Sequence, residues 1–131
     1  RLFVPEPLFE PRSVADDRTV RAHVAMAQVY REVAAPIVGD RQPLPQPVYL
    51  SRRLLPSSQR LIVGEEDLEA ALAESGFRIA HPQTMTFEDQ VRLVNEHADI
   101  VSNAGSAAQN VLFALHAPRL HLLTNGTSFS P

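Results

Sequence analysis

The sequence of 131 residues contains no cysteine and no lysine. Without cysteine there can be no disulfide bond, thiolate metal site or cysteine nucleophile. Without lysine, any phosphate clamp must use the planar guanidinium groups of arginine. Long apolar runs are missing too, because no stretch approaches the roughly 18 residues that span a bilayer. These absences fit a reducing compartment, and we expect a cytoplasmic protein with no membrane span.

Several functional motifs are also absent. A formal net charge of -3 argues against a protein that grips nucleic acid, which needs a dense basic surface. The sequence has no G-x-S-x-G elbow, no Walker motif and no G-x-G-x-x-G fingerprint. Its five histidines show no spacing typical of a metal centre, and we expect neither a metal nor a resident cofactor. A small anionic ligand is compatible with this composition.

Four short β-type runs alternate with helical patterns in the second part of the chain. A hydrophobic content of 44% is enough to bury the core of one domain. The strand candidates are VYLS (48–51), FRIAHP (77–82), DIVSNA (99–104) and RLHLLT (119–124). Strands separated by helices form parallel sheets with right-handed crossovers. The sequence therefore predicts a doubly wound, Rossmann-like α/β fold.

The helix boundaries are predicted from caps. Acidic residues open the pattern at 65–76, and Gly76 is placed to end that helix. Thr86 and Asp89 have capping-box spacing, and so do Ser106 and Gln109. The second pair predicts a helix from Ser106 to about residue 116.

A lead-in segment precedes this alternating part. RLFVP (1–5) is predicted to be the end of a strand. The stretch SVADDRTVRAHVAMAQVYREVAAP (13–36), with Val20, Val24 and Ala27 at helical spacing, predicts a helix of roughly five turns that Pro36 stops. The following stretch GDRQPLPQP is rich in proline and favours extended geometry. We therefore divide the chain into a lead-in at 1–40 and a Rossmann-like domain at 41–131, and expect it to be part of a longer protein.

The stretch SNAGSAAQN (102–110) is the first candidate for a ligand site. It follows a strand, and ligands of open α/β sheets bind beyond the carboxyl ends of strands. Gly105 permits close approach of the backbone, while free amides at Ser106 favour a phosphate or carboxylate. Asn110 and Phe113 share a helix face with Ser106. The opposite face, predicted to pack on the sheet, consists of Ala108, Val111, Leu112 and Leu115. The alternative is an ordinary strand-to-helix turn with a solvated Asn110.

Arginines form the second candidate, at the same edge of the predicted sheet. Arg52, Arg53 and Arg60 follow the first strand and could converge on a diphosphate. They could equally be solvated loop residues. Gln90 borders the apolar stripe of its helix and could contact a ligand or simply a neighbouring loop. His81 is the histidine that the sequence places at this edge, where a structural role is the simpler interpretation.

The order of these motifs resembles that of glycosyltransferase family 61. The resemblance lies in the stretches VYLSRR, QRLIVGEEDLEAALAESGF and MTFEDQVRLVNEHADIVSNAGSAAQNVLF. It covers about 48–124, and 2–36 resembles the segment before it. It implies the C-terminal, donor-binding half of a GT-B enzyme of the capsular polysaccharide type. The site residues that it implies are Arg52, Arg60, Gln90, Gly105, Ser106 and Asn110, with Phe113 at the family's phenylalanine.

This resemblance implies inverting, metal-independent transfer of a sugar from a nucleotide diphosphate donor to a hydroxyl acceptor. Arg52 and Arg60 would bind the diphosphate, the Gly105 and Ser106 amides would assist, and Asn110 would contact phosphate or sugar. A catalytic base would come from a missing N-terminal half of the chain.

The sequence departs from the family pattern at two positions. Ala104 stands where the family has histidine, and Gly64 where it has the asparagine of an NE pair. One alternative is a non-catalytic Rossmann-like module for protein or carbohydrate recognition. A receiver-like signalling domain is less well supported, because no acidic cluster lies at the end of the first strand.

Overall fold

The computed structural model describes residues 9–10, 21–22, 24–56 and 62–124. The central element is a parallel sheet of four strands: β3 (Val48–Leu50), β4 (Arg78–Ala80), β5 (Asp99–Asn103) and β6 (Arg119–Leu123). Their order in the sheet is β4-β3-β5-β6. Each β3 residue has a partner on both sides, so that Tyr49 lies between Ile79 and Val101. All four strand predictions are confirmed.

Two very short strands, β1 (Phe9–Glu10) and β2 (Arg21–Ala22), pair in the antiparallel sense before the sheet. Four helices follow: α1 (Val24–Val38), α2 (Glu65–Glu74), α3 (Phe87–Glu96) and α4 (Ser106–Gln109). A 3-10 turn at Pro82–Thr84 precedes α3, and another at Asn110–Phe113 continues α4. The element order is thus that of alternating strands and helices.

Helices cover both faces of the sheet. Successive strand residues point to opposite sides, and the side chains of β3 show where each helix packs. Val48 and Leu50 belong to a buried cluster with Leu93 of α3, and Ala107 of α4 packs against it. Tyr49 instead bonds the carboxylate of Glu65 on α2, across the other face. The α/β class with a parallel sheet is therefore confirmed.

The long helix α1 begins and ends later than the sequence predicts. Arg21 and Ala22 lie in β2, and the helix starts at Val24. Pro36 lies inside its last turn and does not stop it. The helix ends instead at Gly39, whose φ of 63° provides a left-handed residue and whose amide bonds the Ala35 carbonyl. Proline near the end of a helix loses one hydrogen bond without breaking the preceding turns.

The capping prediction for α3 is confirmed, since the Thr86 side chain accepts the Asp89 amide at 3.2 Å. The prediction for α4 is wrong. Its N-cap is Gly105, no side chain caps it, and the α-helix lasts four residues. The predicted faces differ as well: Leu112 is 55% exposed, whereas Phe113 packs edge-on against Tyr30 and Phe87.

Phe113 is turned inward because α1 is there to receive it. Ala34 and Val38 of α1 form a second buried cluster with Val91, and Phe113 packs against it. The sequence pattern of the 106–116 segment alone does not reveal a third helix on that side. In the part of the chain that the structure describes, no helix combines the length and the apolar character needed to cross a membrane.

Candidate functional site

The candidate site lies where the chain switches from one face of the sheet to the other. From β3 the chain passes to α2 on one face, and from β5 it passes to α4 on the other. Strands β3 and β5 are neighbours, so their carboxyl ends open a crevice between loops that diverge. Such topological switch points are the usual ligand sites of open α/β sheets.

A cavity of about 250 Å³ occupies this crevice. Its lining combines side chains from the two diverging loops with those of the 3-10 turn and α3. The lining residues are Ser51, Arg52, Leu55, Pro82, Gln83, Gln90, Asn103, Gly105, Ser106, Ala107 and Asn110. Five of the six residues expected to form a site thus surround one cavity. The sixth, Arg60, lies outside the described residues.

The side chain of Arg52 reaches across the crevice to the turn after β5. Its Nη1 atom lies 3.7 Å from the position that a Cβ on Gly105 would occupy. Arg52 is half-buried, and within the described part of the chain its guanidinium has no hydrogen bond or ion pair. An arginine held at a cavity without a protein partner keeps its donors available for an anion.

Arg53 does not join Arg52, contrary to the expectation that the arginines converge. Its Nε donates to Glu69 of α2 at 2.8 Å, and its Nη1 lies 3.8 Å from Glu66. Glu69 also accepts the Ser51 hydroxyl and has the His81 ring 3.8 Å away. Arg53 and His81 therefore belong to a structural cluster beneath α2, and the structural interpretation of His81 agrees with its place there.

A buried hydrogen-bond chain connects the two loops that flank the cavity. Oε1 of Glu65 accepts both the Tyr49 hydroxyl and the Arg52 backbone amide, each at 2.8 Å. The same hydroxyl accepts Nδ2 of Asn103 at 3.1 Å. Glu65 is 3% exposed, so the bonds to its carboxylate are shielded from water. The chain from Asn103 through Tyr49 to Glu65 thus fixes where Arg52 leaves the sheet.

The loop that carries Arg52 is held from the α3 side as well. Gln83 of the 3-10 turn has its amide nitrogen 3.0 Å from the Ser51 carbonyl and its oxygen 3.1 Å from the Leu54 amide, in the orientation that satisfies both groups. Gln90 anchors the opposite wall. Its Nε2 donates to the carbonyls of Pro82 and Met85, and its Oε1 accepts Nδ2 of Asn110 at 2.6 Å. Gln90 is therefore a satisfied amide that joins α3 to the 3-10 turn after α4.

Burial raises the pKa of Tyr49, and its hydrogen bond to the Glu65 carboxylate raises it further. The folded protein then keeps a proton that the unfolded chain loses above about pH 10. Stability should therefore fall as pH rises beyond that point, by about 1.4 kcal/mol per pH unit from this group. Urea unfolding at pH 9 and 11 measures the slope. Tyr49→Phe should remove that contribution, and equal slopes for both proteins would contradict it.

The backbone of the Gly105 turn is extended, with φ 167° and ψ −175°, a conformation open to any residue. The first amides of α4, at Ser106 and Ala107, have no acceptor inside the helix. Because α4 has four residues, the helix dipole contributes less here than the sequence suggests. The anion-binding capacity of this turn depends on its amides and on Arg52.

Several cavity residues are not evident from sequence. Asn103 is the last residue of β5, Ser51 directly follows β3, and Gln83 comes from a 3-10 turn. For Ser51 and Asn103, their position at the carboxyl ends of predicted strands was the sequence feature that could have indicated a site. Glu65 looks like one of three acids at a helix start, and only tertiary packing distinguishes it as buried. In the described ranges, no three His, Asp or Glu side chains are grouped so as to hold a metal ion.

A comparison with protein families decides the relationship. The family model described as Glycosyltransferase 61 matches residues 3–121. The chain belongs to glycosyltransferase family 61. Among curated proteins, none gives a significant sequence match. This assignment confirms the family resemblance and places the chain in a class of sugar-transferring proteins. The capsular polysaccharide type and the position in the C-terminal half of an enzyme stay predictions.

The structure shows where this family 61 chain carries its two departures from the expected motifs. Ala104, in the position of the expected histidine, lines a separate apolar cavity with Leu120 and Leu122. Gly64 is the N-cap of α2 with φ 77°, a left-handed conformation that suits glycine. Glycine at position 64 therefore suits the left-handed backbone that begins α2. Alanine at position 104 leaves the turn without an imidazole.

Proposed function

We propose that this family 61 chain binds the diphosphate of a nucleotide sugar in the cavity between the β3 and β5 loops. The enzyme of which it forms part would transfer the sugar to a hydroxyl acceptor. The observation that carries the proposal is the guanidinium of Arg52, which has no partner among the described residues and lies beside the Gly105 turn at the switch point of the sheet. Arg60, outside the described residues, is proposed to serve the same diphosphate.

The chemistry needs charge stabilisation at this place. The bond between the anomeric carbon and the donor phosphate breaks, and the nucleoside diphosphate leaves with the electron pair. The acceptor oxygen forms the new bond from the opposite face, which inverts the anomeric centre, and its proton passes to a base. Negative charge grows on the leaving diphosphate, where the Arg52 fork and the amides of Ser106 and Ala107 can stabilise it. No metal is required for that arrangement, and we propose a metal-independent reaction.

The size of the cavity limits what it can hold. Pockets for whole ligands of this kind measure roughly 300–1,000 Å³, and this one has about 250 Å³. The described residues therefore suit the diphosphate and its immediate neighbours better than a complete nucleotide sugar. This supports the proposal of a GT-B enzyme in which a second Rossmann-like half supplies the base and the acceptor site. A capsular or other polysaccharide is the proposed acceptor.

A non-catalytic recognition module is the alternative, and Ala104 favours it. A side chain without an imidazole cannot donate a hydrogen bond or carry a charge at the edge of the Gly105 turn. Such a protein would recognise a protein or a carbohydrate and would transfer no sugar. Incubating the full-length protein with a nucleotide sugar and glycan acceptors, and following release of the nucleoside diphosphate, distinguishes the two.

The proposal is tested at Gly105, where an added Cβ would meet Arg52 Nη1, and no other atom of the described residues, at an ordinary contact distance of 3.7 Å. Gly105→Ala should leave the stability unchanged or slightly higher, because its extended backbone suits alanine. Calorimetric affinity for UDP or GDP should nevertheless fall about tenfold, or about 1.4 kcal/mol, since the methyl group stands where backbone meets phosphate. Gln109→Ala, an exposed change on α4, is the control. Undiminished affinity in Gly105→Ala would contradict the proposal.

A further inference from the structure

The amide of Gln90 has only one orientation that satisfies its neighbours. Its Nε2 lies 3.0 Å from the Pro82 carbonyl and 3.3 Å from the Met85 carbonyl. Carbonyl oxygens accept hydrogen bonds and cannot donate them, so the nitrogen must face both. The Gln90 oxygen is consequently directed at the chain segment that follows α4.

This orientation determines that of Asn110. The Gln90 oxygen can only accept, and it does so from Nδ2 of Asn110 at 2.6 Å. The Asn110 carbonyl oxygen is left without a hydrogen-bond partner among the described residues, and it is not one of their enclosed, unpartnered atoms. It is therefore accessible to solvent, on a residue that lines the same cavity as Arg52.

We infer that Asn110 selects a hydroxyl group of the bound ligand. The inference rests on the proposed function, because it names a group on the nucleotide sugar. The free oxygen of Asn110 would repel a phosphate oxygen and accept a hydrogen bond from a hydroxyl. Of the two contacts expected for Asn110 from sequence, phosphate or sugar, the geometry thus favours the hydroxyl-bearing part of the ligand.

The two parts of the site thus differ in whether they offer hydrogen-bond donors or acceptors. Arg52 offers donors that suit phosphate, and Asn110 offers an acceptor that suits a sugar or ribose hydroxyl. Gln90 is a positioning residue, since it acts through Asn110. Its two backbone anchors hold the amide pair in the arrangement that keeps the acceptor free.

Calorimetry on the full-length protein tests this inference with UDP, UDP-glucose, GDP and GDP-mannose, and with analogues in which one hydroxyl is replaced by hydrogen. Asn110→Ala should lower the affinity for a hydroxyl-bearing probe about three- to tenfold, as expected for one neutral hydrogen bond. It should leave the affinity for the analogue lacking that hydroxyl unchanged. Gln109→Ala, at the exposed residue just before Asn110, should change neither.

The probes also distinguish the two sources of the hydroxyl. If Asn110→Ala weakens UDP and UDP-glucose equally, and removing a ribose hydroxyl abolishes the difference, Asn110 contacts the ribose. If only the sugar conjugates lose affinity, it contacts the transferred sugar. In Gln90→Leu, NMR should show faster solvent exchange of the Asn110 Nδ2 protons, which lose their acceptor. The preference for the hydroxyl-bearing probe over its deoxy analogue should also fall, and loss of packing alone would weaken both probes equally.

Two outcomes would overturn the inference, and they are distinguishable. In the first, the wild-type protein binds these nucleotides, but Asn110→Ala changes the affinity for hydroxyl-bearing and deoxy probes by the same factor. The hydroxyl selection is then wrong, and the proposed function survives. If none of the nucleotides binds to the wild-type protein, the proposed function fails, and the selection of a donor hydroxyl fails with it.

Discussion

Replacing Arg52 with alanine should weaken the binding of UDP or GDP by about 1.5–3 kcal/mol, or roughly ten- to a hundredfold, the range of hydrogen bonds to charged groups. The guanidinium has no partner in the described part of the chain. Its removal should therefore change the free energy of unfolding by less than about 0.5 kcal/mol. Loss of affinity with unchanged stability is the expected combination.

Two further variants sharpen the Arg52 experiment. Arg52→Lys keeps the charge but lacks the planar fork, so its affinity should fall between those of wild type and Arg52→Ala. Arg31→Ala removes the same charge from an exposed position on α1 and should bind as wild type does. Equal weakening by Arg31→Ala and Arg52→Ala would mean that overall charge, and not a site, attracts the nucleotide.

Replacing Glu65 with alanine should destabilise the protein by about 2–5 kcal/mol. The change leaves the Tyr49 hydroxyl and the Arg52 amide without their acceptor, and each unsatisfied buried group costs about 1–3 kcal/mol. The Arg52 loop also loses an anchor, so nucleotide affinity should fall together with stability. Urea unfolding at pH 7 gives the first quantity and calorimetry the second.

Neighbouring acids provide matched controls for Glu65. Glu66 lies in the same first turn of α2, and its side chain is 82% exposed. Glu66→Ala removes the same charge from the helix start but should cost less than about 1 kcal/mol. Glu65→Gln retains a carbonyl oxygen for both donors and should be milder than Glu65→Ala. Equal stability of Glu65→Ala and Glu66→Ala would contradict this prediction, because it would mean that the buried hydrogen bonds of Glu65 do not stabilise the loops.

The sequence was informative where local chemistry determines structure. Alternating β-type runs and helix patterns predicted the four strands, and the Thr86 cap predicted the start of α3. Parallel strands bring their carboxyl ends to one edge, which is why Arg52 and Gly105 could be expected together before any coordinates. The expectation follows from topology and does not require knowledge of packing.

Tertiary contacts explain what sequence reasoning missed. Arg53 is adjacent to Arg52 but faces Glu69, because α2 packs over its side of the sheet. Phe113 turns to α1, which no helical pattern in its own segment indicates. The burial of Glu65 likewise depends on where Tyr49 meets α2. The division at residues 40 and 41, and the GT-B arrangement, stay predictions.

The most direct measurement is an NMR titration of the full-length protein with UDP and GDP, using uridine and guanosine as controls without phosphate. Our account predicts shifts of the Arg52 Nε signal and of the Gly105 and Ser106 amides that the diphosphates cause and the nucleosides do not. Shifts confined to other surfaces, such as the exposed strand β6, with Arg52 unchanged, would contradict it.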